Sequence, residues 1–354
     1  MSEIKINALP THTWNWLKLN DANFSIDENV FSTNENYKIE NLPDEVSLQK
    51  KSLEDFSDFN KYETSLGETV NSYFENENCF SLVANAKVTK PIFIFFSLGE
   101  QNASSVHLIH AKENADLSVV FVFEGNENSF ATQFIKTFCF AEKNARIHIF
   151  KVNLLQNDCR LLDDTISIPN ENAHIDVKHI VLGGIETYVA SNCALDFFAS
   201  RFTSTLSYLC AKKQTLDMNF IVRHRGKKTS CDMNVLGTLC DEAEKNYRGS
   251  IDFQKGASGS IGKEMEETLL LSPRAVNKSI PLILCDEEDV SGEHGATIGK
   301  LHDDILFYLA SRGIEKKTAE LLIARAKILQ CADELQNDSI VEKINARIDE
   351  TFSV

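Results

Sequence analysis

The chain has 354 residues, 43% hydrophobic and 25% charged, with 15 Gly and 6 Pro. That globular composition excludes collagen-like and low-complexity readings, and the length predicts several domains or an elongated repeat architecture. Lys and Arg total 36 against 52 Asp and Glu, a formal charge of −16 at pH 7, which disfavours both nucleic-acid and anionic membrane partners. The longest apolar stretch, Pro91 to Leu98, falls far short of the roughly 20 residues a membrane helix needs. The first residues lack the apolar core of a secretion signal, so a cytoplasmic protein is expected.

The first 75 residues are rich in Asn, Asp, Glu and Ser and hold both tryptophans, in Thr13-Trp14-Asn15-Trp16-Leu17. An irregular or helical arm is expected over 1–75. Within it Leu53, Phe56, Phe59 and Tyr62 recur every third residue, a step that drifts around an α-helix. From Asn78 the texture changes to Val-, Ile- and Phe-rich runs bounded by polar turns: Pro91 to Phe96, Leu117 to Phe123, Phe134 to Phe140, Ile147 to Val152 and Ile175 to Val181. These read as strands. No amphipathic helix separates them, which argues against a doubly wound sheet.

Three strands share an opening. Asn114-Ala115-Asp116-Leu117 is matched by Asn144-Ala145-Arg146-Ile147 and by Asn172-Ala173-His174-Ile175, at steps of 30 and 28 residues. Asp217-Met218-Asn219 and Asp232-Met233-Asn234 lie 15 apart, half that period. A fixed period in a strand-rich chain marks stacked repeats, and predicts a β-solenoid over 76–297 with two strands per coil. The alternative is an antiparallel sandwich with a chance repeat. A helical tail over 298–354 follows: a helix from Asp303 to Ser311 stopped at Gly313, a second with Ala319, Leu322, Ile323, Ala326 and Leu329 on one face and Glu315 as a poor N-cap, and a third carrying Ile340, Ile344 and Ile348.

Few motifs promise chemistry. In Gly256-Ala257-Ser258-Gly259-Ser260-Ile261-Gly262-Lys263 the first glycine of a nucleotide-binding loop is displaced and Glu264 replaces its hydroxyl residue, so a turn between coils is expected. The basic cluster Arg223-His224-Arg225-Gly226-Lys227-Lys228 lacks neighbouring aromatics and reads as a solvated turn or docking rim. His107 and His110, three apart in a strand, point to opposite faces. The nine cysteines include no Cys-x-x-Cys pair, so most are expected in the core. His294 is set among Gly292, Gly295 and Ala296. It is either a structural histidine or, with that room around it, an iron ligand.

The stretch Thr268-Leu269-Leu270-Leu271-Ser272-Pro273-Arg274-Ala275, then Ser279-Ile280-Pro281, Asp289-Val290, His294-Gly295-Ala296-Thr297-Ile298-Gly299, Leu306-Phe307-Tyr308-Leu309 and Ser311-Arg312-Gly313-Ile314 resembles the SufB/SufD family of iron–sulfur cluster assembly proteins, on its SufD side. Leu9-Pro10 and Thr13 to Leu17 resemble the N-terminus of that side. The resemblance implies a right-handed parallel β-helix flanked by N-terminal and C-terminal helical regions, and a non-enzymatic subunit of a complex with SufB and the ATPase SufC. ATP would enter only through SufC. It also implies a transient iron–sulfur cluster or iron at the SufB interface with His294 as ligand, and SufC docking at Phe307, Tyr308, Leu309, Ser311, Arg312 and Gly313. Gly292 departs from the pattern, since many SufD sequences carry a cysteine there. Glu293-His294 is similar to a SufB pair, whereas Ala275 stands where SufB carries its functional cysteine. Cys285 is a further ligand or a core residue. The rivals are a SufB-like homodimeric scaffold and a β-helix polysaccharide-processing enzyme.

Overall fold

The computed structural model describes residues 2–13, 15–26, 36–59, 61–74, 78–125 and 130–352; Trp14 and residues 27–35 of the N-terminal arm lie outside these. The strands are β1 (Ser2–Ile6), β2 (Ala22–Ile26), β3 (Tyr37–Glu40), β4 (Val46–Lys51), β5 (Cys79–Ala84), β6 (Ile92–Leu98), β7 (Ala103–Ala111), β8 (Asp116–Gly125), β9 (Thr132–Ala141), β10 (Arg146–Asn153), β11 (Arg160–Pro169), β12 (His174–Val181), β13 (Glu186–Leu195), β14 (Arg201–Cys210), β15 (Thr215–His224), β16 (Ser230–Leu239), β17 (Glu244–Phe253), β18 (Ser260–Leu270), β19 (Val276–Cys285) and β20 (Val290–Gly299). Helices α1 (Asp303–Ser311), α2 (Lys316–Ala332) and α3 (Asp338–Phe352) follow. No helix among the described residues is long and apolar enough to cross a membrane.

Even-numbered strands β6 to β20 form one parallel sheet and odd-numbered β5 to β19 the other, so the chain winds as a parallel β-solenoid of about seven turns. Arg146 pairs with Asp116 on one side and His174 on the other, reproducing the sequence steps of 30 and 28. The half-period motif is explained too, because Asp217 lies on β15 and Asp232 on β16, opposite sheets of one coil. The repeated Asn opens each coil at a corner that needs a left-handed residue: φ is 61° at Asn114, 57° at Asn144 and 55° at Asn172. Asn tolerates that conformation better than most side chains. Each of these backbone N–H groups donates to the carbonyl of the coil above, Asn114 to Lys143, Asn144 to Glu171 and Asn172 to Phe198, all at 3.0 Å.

Inward side chains such as Leu117, Ile147, Ile175 and Phe202 stack in columns and fill the lumen. Outside, α2 and α3 cover the even sheet, burying Ala324, Ile328, Cys331, Ile340, Ile344 and Ile348 against Val120, Phe150, Val152 and Ile180. Leu322, expected on this face of α2, is 47% exposed instead. The face that docks carries Ala324, Cys331 and Ala332, small residues that let the helix lie close to a flat sheet. Glu315 is the N-cap of α2 and makes no side-chain capping bond.

The N-terminal arm covers the odd sheet. Its three-residue apolar step belongs to a 3-10 helix over Leu53–Phe59, in which residues i and i+3 stay on one face. Phe56 and Phe59 stack over Phe138, centroids 5.9 and 5.1 Å away. At the N-terminal end of the solenoid β3 pairs antiparallel with β6 and β4 with β5, so each sheet ends there on a short antiparallel strand.

Candidate functional site

Among the described residues the opposite end carries no such antiparallel strand. Strands β19 and β20 each have one neighbour only, β17 and β18. Their outer backbone edges are unpaired, a template that another strand can extend. Because no further coil covers the lumen, residues that alternation turns inward on this last coil reach solvent.

His294 is one of them. It pairs in register with Glu264 of β18. Inward and outward positions are fixed by the neighbouring glycines: a Cβ on Gly292 would meet Phe253 and Ile283 of the lumen at 3.1 and 3.3 Å, whereas one on Gly295 would meet the outward Met265 sulfur at 2.9 Å. His294 shares the face of Gly292. The imidazole therefore stands at the mouth of the tube, exposed, on the column that runs down through Glu264 to Met233.

Cys285 ends β19 in register with the lumen residue Phe253. Core packing, one of its two expected roles, does not hold: the thiol is exposed and donates to the Glu287 carbonyl at 3.1 Å. Seven of the other cysteines are buried and Cys240 is partly so, and burial pushes the Cys139, Cys210 and Cys231 thiols up to about 12. These are poor nucleophiles and poor metal ligands. Among the described residues no three His, Cys, Asp or Glu gather to hold a metal ion.

One coil below the mouth the lumen turns polar. Lys245 donates to Glu266, and Ser279 and Thr268 donate to the same carboxylate, Thr268 at 3.1 Å. Lys245 holds the Glu266 carboxyl below the usual range against the opposing effect of burial. Glu264 is different. It is 2% exposed and its Oε2 has no hydrogen-bond partner. Burial raises its carboxyl to about 7, against the nearby Tyr247 hydroxyl, which pulls it down, and with the neighbouring Glu266 charge, which pushes it up. A glutamate fits here because Gly249 stands opposite: a Cβ at that position would come within 2.1 Å of Glu264 Oε1. In the sequence Glu264 belongs to no metal-ligand motif; only the 30-residue step, which places it one coil before His294, points to it.

Three residues after β20, α1 begins. None of its side chains is buried, and Phe307 and Tyr308 are 77% and 57% exposed. Arg312 stacks over the Tyr308 ring at 5.5 Å, Ser311 Oγ donates to the Tyr308 carbonyl at 2.6 Å, and Gly313 adopts φ 81°. Leu309 is half-buried.

Other candidates have structural partners. The glycine-rich segment is the corner between β17 and β18, with φ 107° at Gly256 and 77° at Gly259. In the basic cluster Arg223 pairs with Glu63 at 2.5 Å and Arg225 with Asp196 at 3.1 Å. His107 is buried against Phe80, and His110, on the other face, meets Glu142 at 2.9 Å.

Residues 95–327 match the family model described as SUF system FeS cluster assembly, SufBD core domain. The chain is similar to the iron–sulfur cluster assembly protein SufD of Bacillus subtilis, 29% identical over 132 residues that cover 37% of this chain and 30% of that protein. It is also similar to iron–sulfur cluster assembly SufBD family proteins of Staphylococcus saprophyticus, 24% identical over 266 residues, and Staphylococcus epidermidis, 26% over 267, each alignment covering 73% of this chain and 56% of the relative. The chain thus spans about half the length, or less, of these curated relatives.

Proposed function

The chain belongs to the SufBD core family of iron–sulfur cluster assembly proteins, and from that premise we propose that it is a SufD-like, non-enzymatic subunit that pairs with SufB through the open end of its solenoid and carries the ATPase SufC on α1. The observation that carries this reading is the exposed imidazole of His294 at an uncapped tube end, flanked by the unpaired edges of β19 and β20. An edge of this kind takes another strand, and an inward residue at the mouth then faces the partner's last coil. Iron or a nascent cluster is cargo here: neutral imidazole supplies one donor and the partner supplies thiolate. The exposed aromatic pair Phe307 and Tyr308, on the helix that begins three residues after β20, supports docking of a partner whose movement is transmitted to that edge.

Co-expression with SufB and SufC tests the reading. The three proteins should co-purify, His294→Ala should leave the complex intact while reducing cluster formed on it at least tenfold, and Phe307→Ala with Tyr308→Ala should release SufC but not SufB. Wild-type cluster yield with His294→Ala removes the ligand assignment. Stable assembly with SufC alone, as a homodimer, favours the SufB-like alternative.

A further inference from the structure

We propose that Glu264 is a second donor at the mouth of the solenoid, so that a divalent first-row cation taken up by His294 is held between that imidazole and the buried carboxylate one coil beneath it. This inference rests on the reading of His294 as a metal ligand and adds a residue to it. Neighbouring parallel strands lie about 4.8 Å apart, and His294 and Glu264 are partners in register on β20 and β18. Both side chains leave the backbone on the lumen side, His294 at the open mouth and Glu264 one coil beneath it with its carboxylate reaching across the lumen toward Gly249. The two do not form an ion pair with each other; the Tyr247 hydroxyl lies near the Glu264 carboxyl, yet the Oε2 makes no hydrogen bond of good geometry although the residue is 2% exposed.

A buried carboxylate oxygen in that state is costly unless something occupies it. Glu266 shows the contrast, two residues along the same strand: Lys245, Ser279 and Thr268 all donate to it. The space for Glu264 is specific as well, since any side chain at Gly249 would displace its Oε1. One carboxylate oxygen and one imidazole nitrogen make a half-site suited to iron(II), cobalt(II) or zinc(II), with water or a partner's donor completing the coordination. A half-site of two donors is also consistent with the lack, among the described residues, of any three-ligand cluster.

Titration of the 354-residue chain with Co(II), read by its visible absorption and by the metal-induced rise in Tm, tests the proposal. Wild type should bind one ion saturably. Glu264→Gln, nearly isosteric, should weaken the affinity at least tenfold and abolish the Tm rise, while Glu293→Gln, an outward carboxylate beside His294, should change neither. Glu264→Asp keeps the charge on a shorter arm and should bind with a shifted spectrum. It serves as the decisive variant if the glutamine form does not fold. Wild-type affinity and spectrum in the Glu264 variants, with binding lost in His294→Ala, overturns the role of Glu264 and leaves His294 standing. Wild-type binding in His294→Ala overturns the underlying reading. Absence of any saturable Co(II) site in the wild-type chain also overturns the proposal.

Discussion

His224 lies on the inward side of β15, its Nδ1 2.7 Å from Thr229 Oγ1, its Nε2 3.3 Å from the Cys231 sulfur and its ring 4.7 Å from that of Phe253. Burial drives its pKa down to about 3. A free histidine titrates near 6.5, so the unfolded chain binds this proton more readily than the folded one. The neutral ring's contribution is therefore complete above about pH 6.5 and is lost as the pH falls toward 3, by about 1.4 kcal/mol for each unit. His224→Gln should flatten that acid limb: in urea unfolding between pH 7 and pH 4 the variant should lose less stability than wild type. Parallel losses would show that the ring is not held neutral. His107 and His179 are depressed by burial as well, so the difference between variant and wild type is the measure. The same residue shows a limit of reading by composition. Arg223, His224 and Arg225 look like one basic cluster, but the chain sends His224 into the lumen and Arg223 outward to Glu63. Strand alternation, once the register is known, separates them. Glu264 was legible by the same rule, because adding one coil to it gives His294; a lone glutamate simply carries no motif.

The corner column is where the element scale is clearest. Asn114, Asn144 and Asn172 announce it in the sequence, yet the column continues through Ala199, Lys228 and Gly259, with φ 53°, 55° and 77°. Ala199 and Lys228 donate their N–H groups to Lys227 and Ser258 at 3.0 Å, as the asparagines do to their own neighbours. The geometry is constant while the residue type is not, so the period fades from the sequence half-way along a fold that keeps it. At Ala199 the Cβ adds strain of about 1–2 kcal/mol in this conformation, partly offset for Gly by its greater loss of chain freedom. Ala199→Gly should thus stabilise the fold by about 0.5–1 kcal/mol, seen as a higher urea midpoint with an unchanged slope. A lower midpoint would contradict the left-handed assignment. The N-terminal arm was harder to read for another reason: a three-residue step is weak evidence for an α-helix, and the arm instead uses it as a 3-10 turn. In α2 two apolar stripes compete, and only the sheet beneath decides that Ala324 and Ile328, rather than Leu322, are buried.

At the scale of the molecule the two ends of the tube differ in kind. Antiparallel β3 and β4 blunt the first coil, and the arm and helices α2 and α3 cover the two outer sheet faces. At the other end the last coil presents the long unpaired edges of β19 and β20 and exposed lumen residues, with the apolar side chains Ile261 and Met265 of β18, Val276 of β19 and Ile298 of β20 at 37–50% exposure around it. An edge of this form is an aggregation hazard in isolation and an interface when a partner is present. Hydrogen exchange distinguishes those states. In the isolated chain the amides of β19 and β20 should exchange faster than those of β10 and β12, which lie between two hydrogen-bonded neighbours and open only with the solenoid as a whole. Addition of the partner should slow exchange in β19 and β20 and leave β10 and β12 unaltered. Equal protection of β20 and β12 in the isolated chain, at concentrations where it is monomeric, would mean that this end is already closed and that His294 is not presented to a second protein.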